Sequence, residues 1–188
     1  MIETILSEGR KSGFSTIEVF REKIEKKEYE KFVDYSARHS VKTDFITVRA
    51  FWDSGDPVGF NLSASDNFSI KSAFHNLYSI RVSPRRKNYA HLLPGSVDKV
   101  KMNIYDNSIG IMNDQGFEDL AEKINELPIL FPGLSLKRIY FSQTLKKVYL
   151  ANTNQLNAKY KKTNFRLVMN VAFRDNIIEV NENKVLLK

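Results

Sequence analysis

Three histidines are the first side chains to weigh for chemistry: His39, His75 and His91. None has a second His or a carboxylate at the i+4 spacing that sets two metal ligands on one helix face, so packed or surface histidines account for all three. Cysteine is absent, which removes disulfides, thiolate metal sites and a Cys nucleophile. Asp53 and Asp56 are close enough for paired-carboxylate acid/base work, yet they flank Gly55 and Pro57, and turn chemistry explains both. Asp106-Asn107-Ser108 and Asn113-Asp114 read likewise as turn and cap residues. Ser108-Ile109-Gly110 and the stretch from Gly55 to Gly59 lack the spacing and the Lys of a phosphate loop, and no Gly-x-Ser-x-Gly elbow occurs. The expectation is a chain with no catalytic residue, no metal site and no cofactor of its own.

What remains is chemistry of contact. From Phe165 to Arg174 the residues alternate, with Phe165, Leu167, Met169, Val171 and Phe173 on one face. Arg166, Asn170 and Arg174 then fall on the other, each two-residue step advancing roughly 7 Å along a strand. Arg and Asn on such a face can hydrogen-bond the carbonyls or carboxylates of an extended peptide without reading its sequence closely. A plain solvated sheet face is the competing explanation. Basic residues near Tyr149 and Tyr160 could clamp a single nucleic-acid strand, and a solvated face accounts for those too.

The elements that position these residues follow from periodicity. Ile2, Ile5, Leu6 and Gly9 recur at helical spacing, with Gly13 as the stop. An extended run from Ile17 and Val19 continues through Glu30, with Phe32, Val33 and Tyr35 in the next segment. Val41 to Phe51 is rich in β-branched and aromatic residues. Asp53-Ser54-Gly55-Asp56-Pro57 marks a turn, and Val58 to Leu62 reads as the return strand of a hairpin. Asp66 or Asn67 caps a helix that buries Ile70, Ala73, Phe74, Leu77 and Ile80. Residues 84–100 form a long connection, and Val100, Met102, Ile104 and Tyr105 a short strand-like run. Asp114 caps a third helix, with Phe117, Leu120, Ala121, Ile124 and Leu127 inward and Leu127-Pro128 as its end. Strands return from Leu136, with Ser142-Gln143-Thr144 as a turn. The fold class is α+β, a two-layer packing of helices on a mainly antiparallel sheet, in one domain spanning residues 1–188.

Composition agrees. Hydrophobic residues make up 42% and charged residues 27%, and the 13 Phe and 8 Tyr speak for a buried core rather than disorder. No apolar run approaches the roughly 20 residues that span a bilayer, and the start Met1-Ile2-Glu3-Thr4 lacks a signal-peptide pattern, so the expected location is cytoplasmic, with no membrane partner. The net charge of +7 admits a polyanion partner. The basic residues are spread along the chain, however, which favours a lysine-rich surface over a nucleic-acid site.

The order of these elements resembles the N-terminal domain of the TldD/PmbA (modulator of DNA gyrase) peptidase family. The resemblance rests on the helix ending in Lys11-Ser12-Gly13-Phe14, then Ile17-Glu18-Val19, then Ile46-Thr47-Val48-Arg49-Ala50-Phe51. Val58-Gly59-Phe60-Asn61-Leu62-Ser63-Ala64-Ser65 precedes a helix from about Asn67 to Arg81 that ends before Ser83-Pro84. Lys101-Met102-Asn103-Ile104-Tyr105-Asp106 and the closing strands, with Asn152-Thr153-Asn154 where relatives read Asn-Ser-x-Gly, complete it. Gln155 departs from the pattern by standing where a Gly is common, and residues 84–100 are more basic than the family's. The resemblance implies a non-catalytic domain that walls a peptide-processing cleft, a peptide substrate, and a homodimer or paralogue heterodimer. It also implies zinc held by a His-Glu-x-x-x-His motif in a C-terminal domain absent from this chain. Two other classes stay open: a basic nucleic-acid-binding module, distinguished by steep salt dependence, and a structural assembly subunit.

Overall fold

In a computed structural model the described residues are 1–52, 57–63, 70–79, 104–173 and 176–184. The expected turn at residues 53–56, the cap at Asp66 or Asn67, Ile80 and Arg81, the connection 84–100 with its basic cluster, Val100, Met102, His91 and Arg174 lie outside them. The elements run α1 (Ile2–Lys11), β1 (Thr16–Phe32), β2 (Ser36–Phe51), β3 (Pro57–Ser63), α2 (Ile70–Ser79), α3 (Asn107–Gly110), α4 (Asp114–Asn125), α5 (Leu127–Leu130), β4 (Leu134–Asn152), β5 (Asn157–Phe173) and β6 (Asn176–Lys184). The strands form one sheet in the order β3-β2-β1-β4-β5-β6. The β2–β3 and β5–β6 pairs are antiparallel, registered from Phe45↔Ser63 to Phe51↔Pro57 and from Phe165↔Lys184 to Phe173↔Asn176. The fold is α+β, as the alternation and helical spacing predict.

The chain divides into two compact units. The first takes in Met1–Lys23, Thr43–Lys101 and Lys147–Tyr160. Its core gathers Ile5 of α1, Ile17 and Val19 of β1, Ile46, Val48 and Ala50 of β2, Leu62 of β3 and Phe74 and Leu77 of α2. The predicted inner face of α2 is therefore the buried one. Phe74 is fully buried, with Phe60 edge-on at 5.2 Å and Phe14 at 5.6 Å between ring centroids. Gly9 lets α1 come close, for a Cβ there would stand 2.5 Å from Ile17 Cδ1 and 2.8 Å from Phe74 Cζ. Gly13, at φ +87°, turns the chain out of α1 in a conformation that suits a residue without Cβ.

The second unit takes in Ile24–Lys42, Met102–Lys146 and Lys161–Lys188. Tyr29, Phe117, Ala121, Ile139 and Phe141 form its core. The rings of Tyr29, Phe117 and Phe141 lie mutually about 6 Å apart (6.0–6.3 Å) and near-parallel, a stacked arrangement that adds to their area burial.

Several local expectations are corrected. Ser142-Gln143-Thr144 is no turn: it lies mid-strand in β4, and Ser142 and Gln143 are buried. The Gln143 amide N–H donates to the Ile109 carbonyl, while its oxygen is buried without a partner. Ile104 and Tyr105 carry no strand; they lead into α3, whose cap Asp106 accepts from Ser108 N–H at 2.8 Å. The cap of α4 is Asn113, accepting from Gly116 N–H at 3.0 Å, and Asp114 is the first helical residue. The helix that Leu127-Pro128 is expected to end does stop at Asn125, and Pro128 then sits in the first turn of the separate short α5, a position where its missing N–H costs nothing. Phe32 closes β1, and Val33 and Asp34 form the tip before β2.

Candidate functional site

The residues expected to touch a peptide sit on β5. Arg166 is exposed, Asn170 is partly buried, and their Cα partners on β6 are Asn183 and Glu179. Arg174 lies outside the described residues, and the other two stand four residues apart along β5. The face they share is less open than a simple alternation suggests. Val168, between them, is 5% exposed, and the side-chain oxygens of Asn164 and Asn170 are shut from solvent without a hydrogen-bond partner. The opposite face is less closed than expected at its end. Phe165 and Leu167 pack partly against the core and Val171 is buried, but Phe173 is 36% exposed.

Arg166 does not stand alone. It lies near enough to Lys26 of β1 to oppose that ammonium's charge. Lys26 Nζ holds Glu28 Oε1 at 2.7 Å, and the Tyr140 hydroxyl on β4 donates to the same oxygen. Each partner responds. The hydrogen bond from Lys26, then that from Tyr140, holds the Glu28 carboxyl below its ordinary range. The bond to Glu28 raises Lys26. Burial, then Glu28, pushes the Tyr140 hydroxyl up. Arg138 adds a pair with Glu30 and lies over the Tyr140 ring at 5.7 Å. The result is a polar row across β1, β4 and β5, fixed in place by internal pairing.

Sequence reasoning overlooked Lys26, Glu28 and Tyr140. The signal was present: Tyr140 falls between Ile139 and Phe141, so period two puts it opposite the core. The row has charged donors and two carboxylates, Glu28 and Glu30, each held by a cation. Among the described residues no group of three or more His, Cys, Asp or Glu could hold a metal ion.

The β4–β5 turn is the second organised spot. The Asn152 side chain, buried, accepts from Asn154 N–H at 2.9 Å and Leu156 N–H at 3.0 Å. Thr153 Oγ1 accepts from Ile17 N–H at 3.1 Å, and Arg10 donates to the Thr153 carbonyl at 3.0 Å. Gln155 adopts φ +68°. The departure from glycine thus leaves the left-handed turn in place.

The architecture defines a class: long-stranded α+β chains whose sheet is flanked by helices. No protein-family model and no curated protein matches the chain. Solved structures do. TldE from Thermococcus kodakarensis superposes with a TM-score of 0.74 at 14% identity, over 99% of this chain and 43% of that one. A candidate modulator of a DNA gyrase from Thermotoga maritima MSB8 gives a TM-score of 0.79 at 14% identity, over 99% of this chain and 42% of that one. A candidate DNA gyrase modulator from Bacteroides thetaiotaomicron gives 0.74 at 12% identity, over 95% and 42%. At these identities the likeness shows the fold, which is the fold the resemblance implies. The chain spans a little over two-fifths of the length of the proteins it matches.

Proposed function

We propose that this chain is the non-catalytic N-terminal domain of a TldD/PmbA-like metalloprotease, acting in the cytoplasm as part of a homodimer or paralogue heterodimer. Its part is to wall the cleft in which peptides are processed. The observation that carries the reading is a fold match over 99% of this chain to TldE, of which it covers only 43%. Arg166 offers several N–H donors to the carbonyls or carboxylate of an extended peptide. The paired Lys26, Glu28 and Tyr140 beside it add polar groups to the same face.

The test is the Arg166→Ala, Arg174→Ala double variant in the reconstituted full-length assembly. Thermal melting should be nearly unchanged while peptide turnover falls. Turnover equal to that of the unaltered assembly would return both residues to the solvated surface.

A further inference from the structure

One end of the second unit carries an apolar surface that the cleft reading does not use. Val33, Tyr35, Ile129, Leu130 and Phe131 are each more than half exposed. Exposed large apolar residues are unremarkable singly, but a cluster of them marks an interaction site. These belong to two adjoining features. The β1–β2 tip is held by Phe32 N–H donating to the Tyr35 carbonyl at 2.8 Å, with the two rings stacked at 4.6 Å. The α5–β4 turn is held by Leu134 N–H donating to the Phe131 carbonyl at 3.0 Å. A groove of about 480 Å³ lies between the tip and the start of β4, lined by Phe32, Val33, Pro128, Leu134 and Leu136, and of the five exposed residues Val33 lines it.

The polar lining of this groove is one-signed. Lys31, Lys137 and Arg138 line it together with Asn125 and Ser135, and no carboxylate stands among the described lining residues. Arg138 is paired with Glu30 and lies 5.8 Å from the Phe32 ring centroid, so it forms part of the wall. Lys31 and Lys137 carry the positive charge of the groove itself, while Asp34 stands on the tip between Val33 and Tyr35. An apolar floor beneath cations suits a chain segment that carries large apolar side chains beside Asp, Glu or a free carboxylate, because the charges then steer and orient what the floor holds. A second copy of this chain is a poorer occupant, since a two-fold contact would set these cations against their own images.

We propose that this end of the protein is a docking surface for an acidic, apolar linear segment of a partner protein. The proposal is independent of the peptide reading of the β5 face. The test selects a phage-displayed library of random peptides against the full chain, with two variants as counter-targets: Lys31→Glu with Lys137→Glu, and Val33→Asp. All three positions lie outside both cores, and near-UV circular dichroism checks that the variants fold. The enriched peptides should combine Asp or Glu with Leu, Phe or Trp, and bind each variant at least about tenfold more weakly, a loss of about 1.4 kcal/mol. Four results would overturn the proposal: no enrichment, enrichment of neutral or basic peptides, acidic peptides that bind the variants as well as the parent, or self-association of the chain that the variants abolish.

Discussion

Gln155 shows how a single residue can depart from a pattern without changing the structure it belongs to. The turn after β4 needs a left-handed residue, and Gln155 supplies φ +68° despite its Cβ. For an L-residue that conformation costs about 1–2 kcal/mol. The surroundings over-determine it: Asn152 accepts two turn N–H groups, and Thr153 is tied to Ile17 in both directions, its N–H donating to the Ile17 carbonyl at 3.0 Å. Gln155→Gly should therefore stabilise the chain by about 0.5–1 kcal/mol, the relief being offset in part by glycine's greater freedom when unfolded. In a thermal melt that is a rise of about 1–4 °C for a chain of this size. A melting temperature that falls would mean Gln155 makes a compensating contact. The Asn-Thr-Asn motif was legible in the sequence, but its meaning was not. Only the fold shows that the asparagine amide does the work of a cap while the glycine position tolerates a substitute.

At the scale of elements, periodicity carried most of the information. The inner face of α2 was legible because Ala73, Phe74 and Leu77 are the apolar residues at helical spacing, and these are its buried residues. Phe74→Ala should cost about 3–5 kcal/mol by denaturant melting, since a fully buried ring leaves a cavity that Phe14 and Phe60 cannot close. A change within half a kcal/mol would show that α2 does not seal this core. Strand lengths were less legible. Ser142, Gln143 and Thr144 have turn-like composition, and period two gives no warning that β4 runs through them for 19 residues in all. The strand is carried by its neighbours β1 and β5 in the sheet, and the Gln143 side chain finds a partner in the Ile109 carbonyl, 34 residues away in sequence. Charged residues are likewise uninformative about pairing at a distance. Glu18, 4% exposed, takes both its hydrogen bonds from Arg49 on β2, and nothing in the spacing of either residue announces that.

For the molecule as a whole, ion pairs fix where part of the charge sits but leave the net +7 unchanged. Arg21 and Lys23 meet Asp44, Lys26 meets Glu28, Arg38 meets Glu118, Arg49 meets Glu18 and Arg138 meets Glu30. Cations engaged in this way are poor material for a phosphate-binding stripe. The candidate site was only partly legible for the same reason: composition gives the charges, and the fold decides which are spent on one another. The order β3-β2-β1-β4-β5-β6 has a consequence for how the chain finds its structure. Each half of the sheet is a meander of sequence neighbours, whereas the central β1–β4 seam joins segments about 100 residues apart, and closing so long a loop carries an entropic cost before any contact repays it. The expectation is that forming this seam limits the rate of folding. Ile139→Val in β4 should slow refolding, while Val58→Ala in β3 should mainly speed unfolding. Stopped-flow chevrons decide it, and the reverse assignment of the two arms would place the nucleus in the β2–β3 hairpin instead.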